Sequence, residues 1–168
     1  FANNITNADV ADMWIHEAFC TYSEALYVEK IYGHQMMLSY IKYGTKDILN
    51  DAPIIPDHGV NTQGSQDMYL KGSLMLHLVR SQLANDDLWF QILKEMQEKF
   101  AYQSLGTDKM FTYLESSLGK EVMPIMKHYL YKSNLPILSI KRTAVKNQFT
   151  MKWTEVVRGF KMNVSFKQ

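Results

Sequence analysis

The feature that most constrains the fold is a change of hydrophobic period at Pro136. Before it, apolar residues recur at spacings of three and four, as on one face of a helix. Beyond it, Ile137, Leu138 and Ile140, then Phe149, Met151 and Trp153, then Phe160, Met162, Val164 and Phe166 follow the alternation of half-buried strands. With 168 residues, 46% of them hydrophobic, the chain can bury one core. We therefore expect a mainly α unit over residues 1–136 and a short antiparallel β tail over 137–168. Three short strands make a poor independent fold, so the tail should lie against the helices or open a further β domain.

Within the helical part, the pattern from Asn7 to Ile31 predicts one long helix, opened by Thr6 with Asp9 three residues later and closed by Gly33. A second stretch runs from Gln35 to Asn50. The segment Asp51 to Gly64, with Pro53, Pro56, Gly59 and Gly64, predicts an irregular loop of a length that is often functional or mobile. Met68, Leu74, Met75, Leu78 and Val79 mark a helix from Gln66 to Leu83, and Asn85 is placed to cap another over Asp86 to Ala101. Thr107 is the expected cap of a helix ending near Gly119, and Met123 to Lys132 makes the sixth.

Charge narrows the function classes. Eighteen basic residues against 17 acidic leave a formal net charge of +1, too balanced for a phosphate-backbone binder, so no nucleic-acid partner is expected. The single cysteine, Cys20, excludes an internal disulfide and a multi-cysteine zinc site. No apolar run approaches the roughly 20 residues of a membrane span. No targeting segment opens the chain, and the compartment is not legible. The sequence opens on Phe1 rather than Met, so we expect a processed product, a domain or a fragment, with functional parts outside it.

Candidate chemistry concentrates on the first helix. Glu17 and Glu24 are seven residues apart and share one face, separated by about 10 Å of rise, too far to ligate one ion together. They suit a ligand and a supporting group on one surface, or simply two solvated helix charges. His16 beside Glu17 points about 100° away and reads as a surface or packing residue. His34, His58, His77 and His128 have no two-histidine metal spacing, and no Gly-x-Ser-x-Gly elbow supports a serine nucleophile.

The stretch NNITNADVADMWIHEAFCTYSEALY, Asn3 to Tyr27, resembles the segment that follows the zinc-binding HExxH motif in the aminopeptidase N and leukotriene hydrolase family. By that resemblance Glu17, in WIHEAF, is the third zinc ligand, and HExxH would end just upstream of Phe1. His16 stands where the family usually has Asn, and Ala18 where it has Gly. Tyr69-Leu70-Lys71-Gly72 is similar to the family's Tyr-x-Lys-Gly motif, which makes Tyr69 the phenol over the zinc. Attack on a peptide carbonyl builds an oxyanion, and a phenol donor aimed at it stabilises the transition state preferentially. Glu24 matches a glutamate common in the family, which implies a supporting role beside the metal, with a plain helix charge as the other reading. The segment from Phe100 to Leu138 resembles the helical end of the same peptidase domain, so the likeness covers about residues 1–140.

The resemblance implies the helical C-terminal part of a thermolysin-like zinc aminopeptidase domain, a gluzincin, with its β tail leading to a following domain. The parent would take one Zn²⁺ and hydrolyse N-terminal residues from peptide substrates, its N-terminal part carrying HExxH. The isolated chain, lacking that motif, is expected to be inactive and without tightly held zinc. The rival is a non-catalytic binding or scaffold module from a diverged member that lost HExxH.

Overall fold

Helix α1 (Trp14–Tyr32) begins seven residues later than its hydrophobic pattern predicts. Ile5–Asn7 instead forms a strand, β1, paired in parallel with β2 (Gln103–Leu105), and Val10–Asp12 makes one 3₁₀ turn. The turn is fixed by a capping box of Asp9 and Asp12 rather than of Thr6 and Asp9: Ala11 N donates to Asp9 Oδ1 at 2.9 Å, and Asp9 N to Asp12 Oδ2 at 3.2 Å. The computed structural model describes Phe1 and residues 3–164.

Helix α2 (His34–Gly44) ends in a 3₁₀ turn, Thr45–Asp47, short of Asn50. The reason lies elsewhere in the chain. The Asp67 carboxylate accepts the backbone N–H groups of Leu49 and Asn50, both at 2.7 Å, which takes them out of helical pairing. The irregular segment that follows is tied in its middle and at its late end. Gly64 lies where a Cβ would collide with the Ile54 carbonyl, and Gly59 N and His58 Nε2 reach Asp9 Oδ2 at 3.0 Å and Asp12 Oδ1 at 2.9 Å.

A third 3₁₀ turn, Gln66–Met68, feeds α3 (Leu70–Leu83), with Tyr69 as the joint. Asn85 caps α4 (Asp86–Lys99) as its sequence predicts, accepting from Leu88 N at 3.1 Å. Gly106, not Thr107, caps α5 (Thr107–Leu118). The Thr107 hydroxyl is used instead in a buried network, donating to Asp12 Oδ1 at 2.7 Å and accepting from Trp14 Nε1 at 2.8 Å. Helix α6 (Met123–Tyr131), with Pro124 in its first turn, completes the six.

Strands β3 (Ile137–Arg142) and β4 (Phe149–Thr154) form an antiparallel hairpin with Ile140 opposite Met151. The expected third strand does not form over Phe160 to Val164, and Phe166 lies outside the described residues. Phe160 is buried on the body, its ring 5.4 Å from that of His128 and 5.5 Å from Trp153, so it anchors the tail by packing rather than by pairing.

The core is built on α3, which packs against α1, α2, α4 and α6. A Cβ added to Gly72 would lie 2.7 Å from Ala18 Cβ, so α1 and α3 touch backbone to side chain at that level. On another face of α3 the buried Arg80 donates to Glu29 and to Asp86, and its guanidinium holds both carboxyls below their usual pKa although burial works against Glu29's.

Two predictions follow from this packing. Gly72→Ala should destabilise by about 1–2 kcal/mol in denaturant unfolding, since overpacking costs more than the better helix propensity returns. The loss should be smaller in an Ala18→Gly background, which removes the colliding methyl.

The second concerns His58 and Asp12. Hydrogen bonding to Asp12 raises the His58 pKa above 6.5. Burial pushes the Asp12 pKa up, but hydrogen bonds from Thr107 and His58 outweigh it and leave it below 3.8. His58's contribution is complete below 6.5 and is lost as pH rises through its folded value; Asp12's is present above 3.8 and is lost as pH falls through its own. The stability difference between the parent and His58→Gln should therefore be largest between pH 3.8 and 6.5 and shrink on either side.

Candidate active site

Glu17 stands in the first turn of α1, half-buried, its N–H donating to Met13 O at 3.0 Å. The turn below it is locked, because Trp14 is buried with its indole N–H on Thr107. Ala18, the next residue, is the one pressed by Gly72 of α3. Tyr69 lies three residues before that glycine, half-buried, at the joint between the 3₁₀ turn and α3 with φ −76° and ψ −78°. Glu17 and Tyr69 thus both stand beside the tight Ala18–Gly72 contact, one residue before it on α1 and three residues before it at the start of α3.

Their electrostatics agree. Tyr69's pKa lies above 10.0, first through burial and then through the negative charge of Glu17, so its phenol stays protonated and remains a donor across the neutral range. One turn further along each helix, Thr21 and Ser73 line a hollow of about 260 Å³ together with Tyr40, Ile41 and Leu70.

Glu24 is exposed, two turns along α1 from Glu17. It accepts the Tyr40 hydroxyl of α2 at 2.8 Å and raises that phenol's pKa. His16 is used locally, Nε2 accepting from Asn7 N at 3.0 Å. Among the described residues no three of His, Cys, Asp and Glu converge on a point where they could hold a metal, so Glu17 by itself could supply only one donor. It fits that role: a half-buried carboxylate with no cationic side chain paired to it among the described residues.

Of the two charged side chains flanking Tyr69, Asp67 was not singled out from sequence, and Lys71 entered only as the Lys of the Tyr-x-Lys-Gly motif, with no role given to it. Asp67 and Lys71 are buried, at 2% and 0% exposure, and each holds backbone groups. Lys71 carried a signal, since Met68, Lys71, Met75 and Val79 make a stripe in which it alone is charged.

The model of the peptidase family M1 domain matches residues 1–129. The chain belongs to peptidase family M1. Solved M1 structures share its fold. A Deinococcus radiodurans M1 zinc metallopeptidase, a point variant bound to a Tyr-Ser-Ala substrate, aligns over 82% of this chain at 25% identity with a TM-score of 0.67. The same organism's M1 zinc metallopeptidase without that substrate aligns at 25% identity and a TM-score of 0.66. The chain spans 31% of the length of either. The mainly α architecture agrees with these neighbours. No helix among the described residues is long and apolar enough to cross a membrane.

Replacing Glu17 by Gln should lower the Tyr69 titration midpoint while leaving it above 10.0, because the charge is removed and the burial is not. The ¹³Cζ shift of labelled tyrosine, assigned by its loss in Tyr69→Phe, reads this directly. An unmoved midpoint would show that the two groups do not share a field.

Proposed function

We propose that this chain is the part of a zinc-dependent aminopeptidase that supplies the third metal ligand, Glu17, and the oxyanion donor, Tyr69. The observation that carries the reading is the close approach of α1 and α3 at Ala18 and Gly72, with Glu17 and Tyr69 standing beside that contact on the two helices. A scaffold has no chemical need for a carboxylate and a protonated phenol on one seam.

The zinc ion, when bound, would polarise the peptide carbonyl and acidify water. Glu17 would contribute one carboxylate to it, and two histidines of an HExxH motif, outside residues 1–168, would complete the protein ligands. Tyr69 holds its proton at Oη and donates a hydrogen bond to the oxygen on which negative charge develops, a contact that strengthens in the transition state. Glu24, already holding the Tyr40 hydroxyl, would stiffen the adjoining face of α1 and support the ligand. The substrates would be peptides, cleaved after their N-terminal residue.

The 168-residue chain by itself should neither retain zinc through dialysis nor release product from aminoacyl-nitroanilides. Chelator-sensitive turnover by the pure chain would contradict this. In a protein extended on the N-terminal side by its natural sequence, Tyr69→Phe should lower kcat by roughly 10²–10³ with zinc retained. Glu17→Ala should remove both zinc and activity. An extended protein with no HExxH and no turnover would favour the non-catalytic binding module instead.

A further inference from the structure

Among the described residues no side-chain hydrogen bond fixes Tyr69, and its backbone lies at the junction of two helix types. The residues two places before and two places after it are both charged and both buried. Burying a charge in a core is costly unless it is hydrogen-bonded, so each must answer a need.

On the early side, the Asp67 carboxylate takes the backbone N–H groups of Leu49 and Asn50, both at 2.7 Å. Asn50 stands in the left-handed region with φ 52°, so its amide has no regular partner to turn to. Ser65 reinforces this clamp, donating to Asp51 Oδ1 at 2.6 Å and accepting from Asp67 N at 3.2 Å. On the late side, Lys71 Nζ donates to the carbonyls of Lys132, at 3.1 Å, and Ser133, at 2.7 Å, where α6 has just ended. Two chain segments distant in sequence, at 49–51 and at 132–133, therefore meet at one short stretch of backbone with Tyr69 at its centre.

We infer that Asp67 and Lys71 are positioning residues for the Tyr69 phenol, pinning the joint from both sides so that the hydroxyl is held over the Glu17 side of the seam. The inference rests on the catalytic reading of Tyr69, and it adds that the Lys of the Tyr-x-Lys-Gly segment acts through backbone carbonyls and not on substrate. The pair is also electrostatically linked: burial draws the Lys71 pKa below 10.5, and the charges of Asp67 and Asp51 oppose that fall.

The test uses the 168-residue chain with ¹³Cζ-labelled tyrosine. Asp67→Asn, which keeps the shape and one acceptor, and Lys71→Met should each move the Tyr69 midpoint down towards that of an exposed tyrosine, about 10. Arg80→Met serves as the control. It also removes a buried cation from α3, and it should lower the melting temperature without moving Tyr69.

An unchanged Tyr69 midpoint in both folded variants overturns the inference, as does an equal movement in Arg80→Met. Loss of the folded near-UV signal in both Asp67→Asn and Lys71→Met also rejects it, since the two side chains would then hold the fold and not the phenol. The catalytic reading fails separately, when Tyr69→Phe leaves kcat of the extended protein unchanged.

Discussion

The close approach of α1 and α3 at Ala18 and Gly72 is the contact on which the candidate site depends. A helix pair separated by ordinary side chains stands 8–10 Å apart, about as far as two turns of rise. At a glycine the seam narrows, and residues adjoining the contact come within each other's electric field. Glu17 precedes Ala18 by one residue, and Tyr69 precedes Gly72 by three. A carboxylate and a phenol placed this way need no bond between them to be coupled, because burial lowers the screening that would otherwise separate them. Ala18 occupies the space that a second glycine would leave open, so the seam is filled on one side and bare on the other.

Around that seam the molecule places most of its buried charge. Asp12, Asp67, Lys71 and Arg80 are all at 5% exposure or less, and every one of them is hydrogen-bonded to a partner far away in sequence. Three of the four hold backbone groups or a cap at the ends of helices, where the helix itself leaves donors and acceptors unpaired. Buried ions are a poor source of net stability, but they discriminate strongly between one arrangement of segments and its near alternatives. That discrimination suits the proposed site, whose two side chains, Glu17 and Tyr69, come from segments far apart in sequence.

The helices of this fold were legible because their apolar stripes are strong and their ends are marked: Asn85, Gly33 and Gly119 fall at the termini their chemistry predicts. What was not legible depended on partners distant in sequence. The parallel pair of Ile5–Asn7 and Gln103–Leu105 joins segments whose local pattern gave no sign of each other, and it shortened the first helix. Asp67 ended the second helix from 17 residues downstream, and Thr107 was diverted from capping by Asp12. In the tail, period two was real in β3 and β4, but Phe160 followed the attraction of a buried aromatic cluster instead of a sheet edge. The site shows the same division. Glu17 and Tyr69 were found through their motifs, whereas Asp67 and Lys71 act through backbone groups that no spacing rule connects to them.

The measurement that bears most directly on this account is a crystal structure of a zinc-loaded peptidase domain containing these residues. The account predicts the Glu17 carboxylate on the metal and the Tyr69 hydroxyl within hydrogen-bond reach of the open coordination position, with Ala18 and Gly72 in contact beneath them. Zinc held without Glu17, or a Tyr69 hydroxyl turned away from the metal while the α1–α3 contact is intact, would contradict it.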